Sequence, residues 1–268
     1  GDIGDDPYLL ATIYDSLRLI VSKNNRMQEA EEYMSSALEE RRRLLKTAPI
    51  TSARLIELAD SMGFVAESEE RKNHPEEASA LMDEAVNIIK GYEGHKDAYA
   101  YALLNRAKYR QTKSPEIPEG FLEEMNVIIP ALDAVAIKDK RTCENLAQAY
   151  MFRSMTRDPN DYDDLLDDLK GAYDNLYTVA QMGDVNEMFL MSVAHSYLVL
   201  LNMKDHDRAK EVREELMELG ISQSDLDRAS RGTIGNVNSK KTKIDMLSSQ
   251  AAKPIPGRRL RRQIKHKE

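Results

Sequence analysis

Apolar residues recur at helical spacing from the start of the chain. Leu9, Leu10, Ile13, Leu17, Ile20 and Val21 predict a helix from Pro7 to about Lys23, with proline at its first turn. Asn24–Asn25 interrupt the pattern, which resumes from about Met27 to Lys46 and stops before Pro49. The alternation of helix, polar break and helix then continues. Predicted pairs cover about 52–71 and 75–92, 96–112 and 118–136, 140–156 and 159–181, and 185–203 and 207–219, with Gly220 as a left-handed cap. Pro75, Pro118 and Pro159 are placed as helix starts, and Pro130 falls inside the sixth helix.

The pairs repeat. An apolar residue, a small residue and a tyrosine three further on occur as Leu10–Ala11…Tyr14, Leu146–Ala147…Tyr150 and Val193–Ala194…Tyr197, with Leu58–Ala59…Met62 a weaker copy. The small residues Ala11, Ala59, Ala102, Ala147 and Ala194 are 48, 43, 45 and 47 apart. Entry positions of the second helices, Ala30, Ala78, Phe121, Leu165 and Ala209, are 48, 43, 44 and 44 apart. Two independent rows with nearly one period identify a helical repeat. Each small residue lets a partner helix approach, and the tyrosine fills the space beside it.

On these residues the chain resembles tetratricopeptide (TPR) repeats, whose first helix carries the apolar–small–x–x–Tyr core and whose second packs through alanine, as at Ala30 with Ala37 and Ala78 with Ala85. The spacings exceed the family's period of about 34, and the early tryptophan is absent throughout. The resemblance therefore implies an all-α, TPR-like α-solenoid of about five elongated hairpins over residues 7–220. A short helix and loop (221–238) and a basic C-terminal extension (239–268) follow. Ser222–Gln223–Ser224–Asp225 reads as a capping box opening the short helix.

Charge adds a second feature. The net charge of −8 divides unevenly. Of 38 Lys/Arg and 46 Asp/Glu, ten and two lie in 239–268, so the tail carries +8 and the remaining 28 and 44 carry −16. Such a tail is built to meet a negative partner: nucleic acid, an acidic protein surface or a localisation receptor. Its charges concentrate in Arg258, Arg259, Arg261, Arg262, Lys265 and Lys267. Leu260 and Ile264 are too thin an apolar stripe for membrane anchoring. One cysteine, Cys143, rules out an intrachain disulfide. No apolar run approaches the ~20 residues of a membrane helix.

No motif carries catalysis. The five histidines show no metal spacing, and Asp158–Asp164 lacks the glycine and glutamate of a calcium loop, with Asp163 and Leu169 in their places. Gly232–Thr233–Ile234–Gly235 is not a phosphate loop. No cofactor or metal is called for.

The resemblance implies that first helices line a concave face, which directs Arg141, Gln148, Met188, Met191 and His195 toward a groove. Asn145 falls near a position where peptide-binding members often hold an asparagine. Neighbouring repeats do not supply the basic set of a carboxylate clamp. The expected function is a non-enzymatic scaffold or adaptor that holds a peptide or helix. The alternatives are a nucleic-acid-associated or regulatory protein using its tail on phosphates, and an accessory subunit of an enzyme complex. The expected location is cytoplasmic, or nuclear if the organism has a nucleus.

Overall fold

A computed structural model describes residues 7–114, 116–183 and 185–226. They form ten helices in chain order and, among the described residues, no strand. These are α1 (Pro7–Lys23), α2 (Met27–Thr47), α3 (Ser52–Arg71), α4 (Pro75–Lys90), α5 (Lys96–Lys113), α6 (Phe121–Asp133), α7 (Lys140–Thr156), α8 (Tyr162–Gln181), α9 (Glu187–Lys204) and α10 (His206–Glu218). Two compact units divide the chain between Tyr109 and Arg110.

In the first unit, α1 packs on α2, α2 on α3 and α3 on α4. The link after α1 and the link after α3 are the same turn 48 residues apart. Asn25 and Asn73 take left-handed φ values of 60° and 66°. Each turn is closed by two bonds, Arg26 N–H to Val21 and Asn25 N–H to Ser22 in one, His74 N–H to Glu69 and Asn73 N–H to Glu70 in the other. Asparagine tolerates this backbone better than most residues, so it ends a helix where glycine otherwise would.

Like helices are also tied to like helices. Arg42 of α2 donates to Glu84 of α4 at 2.7 Å, Tyr101 of α5 to Asp60 of α3, and Tyr109 of α5 to Glu70 of α3 at 2.7 Å. The partners are 39 to 42 residues apart, close to the sequence period. Consecutive helix pairs are thus packed as hairpins.

In the second unit, α6 packs on α7, α7 on α8, α8 on α9 and α9 on α10. One continuous core runs through Ala147, Ala172, Tyr173, Leu176, Val193, Ala194, Tyr197 and Val212. Tyr173 of α8 donates to Glu215 of α10 at 2.8 Å, again joining second helix to second helix.

The two repeat rows are core. All five small residues (Ala11, Ala59, Ala102, Ala147, Ala194) and all five second-helix positions (Ala30, Ala78, Phe121, Leu165, Ala209) are at most 5% exposed. Two helix starts differ from expectation. α6 begins at Phe121, three residues after Pro118, because Gly120 at φ 75° turns the chain first. α8 begins at Tyr162 because Asp158 Oδ1 accepts Asn160 N–H at 2.9 Å in a side-chain turn, and Asp161 then caps Asp164 N–H. Proline permits a helix start, but the capping group decides where it falls. α6 continues three residues past Pro130. Gly220 (φ 90°) closes α10, and Ser222 Oγ accepts Asp225 N–H at 3.2 Å as a cap.

Candidate functional site

The residues directed toward a groove lie on α7 and α9 of the second unit. α7 starts where Asp139 accepts from Thr142 N–H at 2.8 Å; the Thr142 hydroxyl, and then this backbone bond, hold the Asp139 carboxyl below its ordinary range. Arg141 is exposed on its first turn, and Gln148 is half-buried two turns on. Asn145, between them, is only 6% exposed and belongs to the wall of the helix rather than its outer face.

α9 starts at the Asn186 cap, whose side chain accepts from Phe189 N–H at 3.1 Å. It is apolar nearly all round, as a helix enclosed by its neighbours would be. Yet Met188 is 47% and Met203 63% exposed, and Met191, Ser192, His195 and Val199 between them are half-buried. Those positions follow one line along the helix, at steps of three and four. Burial pushes the His195 imidazole below its ordinary pKa, so it is neutral at pH 7. The line carries no charge between Glu187 and Lys204. Met191 also packs against the core containing Val193, Ala194 and Tyr197.

The tail residues Arg258, Arg259, Arg261, Arg262, Lys265 and Lys267 lie outside the described residues. The short helix expected after Ser222 is described only as far as Leu226.

Polar clusters that the sequence reading did not single out are structural. Asp168 is fully buried on α8, yet both of its oxygens are occupied. Arg153 donates to Oδ1 at 2.7 and 2.6 Å, and Arg157 to Oδ2 at 3.1 Å. Arg157 also pairs with Asp164 at 2.5 Å. With three charge-assisted contacts from two arginines, this carboxylate ties the end of α7 to α8. The pattern was readable: two arginines four apart, Arg153 on α7 and Arg157 just past its end, face two aspartates four apart on α8.

Ser52, His95 and Asp97 in the first unit superficially suggest a nucleophile and relay. The hydroxyl of Ser52 donates its single proton to Asp97 at 2.7 Å, so His95 Nδ1, 3.0 Å from the same oxygen, must be a donor. The imidazole therefore cannot take the serine proton, and the cluster instead ties the starts of α3 and α5 together. Cys143 is buried, and burial pushes its thiol above the ordinary range, the opposite of an activated nucleophile. Among the described residues no three His, Cys, Asp or Glu converge as a metal set. No helix among them is long and apolar enough to cross a membrane. Comparison with protein-family models and with curated proteins finds no match.

Proposed function

We propose that the protein is a non-catalytic scaffold of the TPR-like kind, holding a peptide or amphipathic helix of a partner protein against the outer faces of α7 and α9. The observation that carries this reading is the uncharged line from Met188 to Met203 on α9, apolar surface that the core of the second unit does not fully cover. Unbranched methionines re-pack around different helical ligands at little cost. Arg141 and Gln148 offer polar contacts at the level of α7. The TPR-like assignment is supported by the buried alanine rows and by the bonds joining like helices.

Met188→Glu and Gln148→Glu, both at positions in contact with solvent, test the site. Each is expected to reduce partner capture at least tenfold while leaving far-ultraviolet circular dichroism unchanged. Capture unaffected by both substitutions would remove these faces from recognition.

Charge segregation favours a second reading, in which the +8 tail contacts phosphates of a nucleic acid. Six charges on phosphates predict an affinity loss of about a thousandfold between about 50 and 200 mM salt, abolished by deleting the residues after Pro254. Binding that survives the deletion would refute it.

A further inference from the structure

We propose that the basic C-terminal segment Arg258–Lys267 docks on its own chain, on the exposed apolar pair Met203 and Tyr162 where the end of α9 meets the start of α8. Met203 is 63% and Tyr162 38% exposed. Lys204, next to Met203, brings the two elements together. It pairs with Asp163 and lies 5.7 Å from the centroid of the Tyr162 ring.

Aspartates surround this pair. Residues 157–168 carry six aspartates against one arginine, and residues 204–208 carry two aspartates against one lysine and one arginine, a net −5. Asp163 and Asp167 are four apart on α8 and both exposed, so they share one side of the helix. The neighbouring cations are engaged within the unit, Arg157 by Asp164 and Asp168, Lys170 by Asp174, and Arg208 by Glu211 and Glu215. Helix dipoles leave the charge in place. The negative ends of α7 and α9 stop at the turns where the positive ends of α8 and α10 begin, and the two contributions cancel. The segment 258–267 carries the complementary pattern. Leu260 and Ile264 are four apart, the spacing that puts two side chains on one helix face, and six Lys/Arg lie around them.

Three observations select this chain's own tail over another protein. Two side chains offer far less surface than the roughly 1,200 Å2 of a specific interface between separate molecules. A segment joined to the same chain needs much less, because the tether raises its local concentration to about the millimolar range. The chain also leaves from the right place. Leu226 is 1% exposed in the core that holds Leu201, two residues before Met203. The 32 residues from Leu226 to Arg258 can span up to about 100 Å, whereas α9, with 18 residues, is about 27 Å long. Finally, the tail leaves from the more acidic unit. Residues 110–226 carry 12 Lys/Arg and 23 Asp/Glu, or −11, and residues 1–109 carry 14 and 20, or −6, while residues 227–268 carry 12 and 3, or +9. The contact requires neither a peptide in the groove nor a nucleic acid.

Hydrogen peroxide reads this contact, because it oxidises a methionine sulfur where solvent reaches it. The full chain and a chain ending at Gly257 are treated at low salt, and sulfoxide at Met203 and Met188 is followed by peptide mass spectrometry. Met203 is expected to oxidise at least about threefold more slowly in the full chain. Met188, 47% exposed near the other end of α9, should oxidise at one rate in both. The protection of Met203 should shrink at about 1 M salt, where charges act over only about 3 Å. It should also be lost in the full-length variants Arg261→Glu with Arg262→Glu and Leu260→Ser with Ile264→Ser, which leave residues 7–226 unchanged. Equal Met203 rates in the full and shortened chains overturn the proposal. So does equal protection of Met188, which marks a general effect of the tail. Protection that grows between about 1 and 100 µM chain also overturns it, because the tail then sits on a second copy.

Discussion

Gly171 lies in the middle of α8, where glycine is the wrong residue for helix stability and alanine would be better by about 1 kcal/mol. Its reason is Tyr150. A methyl group at Gly171 would fall 2.7 Å from Cε1 and Cζ of the Tyr150 ring and 2.8 Å from Cδ1. Ordinary carbon contacts are about 3.5–4.0 Å, so the ring would have to retreat by about 1 Å. It is half-buried against the core of the second unit, with the Arg153 guanidinium 5.3 Å from its centroid. Overpacking of this kind costs about 1–3 kcal/mol. Set against the helix gain, Gly171→Ala is expected to destabilise by about 1 kcal/mol net. In a Tyr150→Ala background the obstruction is gone, and the same substitution should stabilise by about 1 kcal/mol. Urea unfolding of the four proteins, followed by circular dichroism, reads the coupling as the change of sign, about 2 kcal/mol in all. If Gly171→Ala stabilises equally in both backgrounds, the tyrosine is not seated on the glycine and the packing assigned to the repeat signature is wrong.

Two further outcomes are expected. Asp168→Asn keeps the shape of the buried side chain but leaves Arg153 and Arg157 without their shared charge; because both guanidinium groups keep some solvent contact, the loss should be about 2–3 kcal/mol in denaturant unfolding, and a change below 0.5 would show the cluster to be incidental. His195 resists protonation in the folded chain because it is buried, whereas the unfolded chain takes up the proton at its ordinary value near 6.5. Its contribution to stability is therefore present above about pH 6.5 and lost as pH falls below it, so His195→Gln should lose less stability than the parent between pH 7.5 and 5.5. Equal losses would place the imidazole in water.

The repeat was legible because its signal is a matter of volume. Only a small side chain fits where two helices nearly touch, and that demand recurs at each pair, so Ala11, Ala59, Ala102, Ala147 and Ala194 stand out against any background. Helix ends were less legible. Pro118 and Pro159 satisfy the general rule for a first turn, but Gly120 and Asp161 carry the geometry that fixes it. The exposed faces were the least legible. Helical spacing puts Arg141 and Asn145 on one side of α7 but does not say how much of that side a neighbouring helix covers, and Asn145 is buried while Arg141 is not. The same gap hid the outer face of α1. Its apolar positions Ile13 and Ile20 fit an amphipathic pattern as well as Leu10 and Leu17 do, and only the packing separates the two sets.

The bonds between like helices also bear on the order of the hairpins along the chain. Tyr101 reaches Asp60, yet the residues in register with Asp60 in later pairs are Leu103, Gln148 and His195, and those in register with Tyr101 include Leu58, Leu146 and Val193. The bond therefore exists at a single junction. A hairpin moved to another place in the order would keep its alanine and its shape but would meet a neighbour with no matching group. The pairs are parts with fixed addresses, and a shuffled order of the same hairpins would lose this contact.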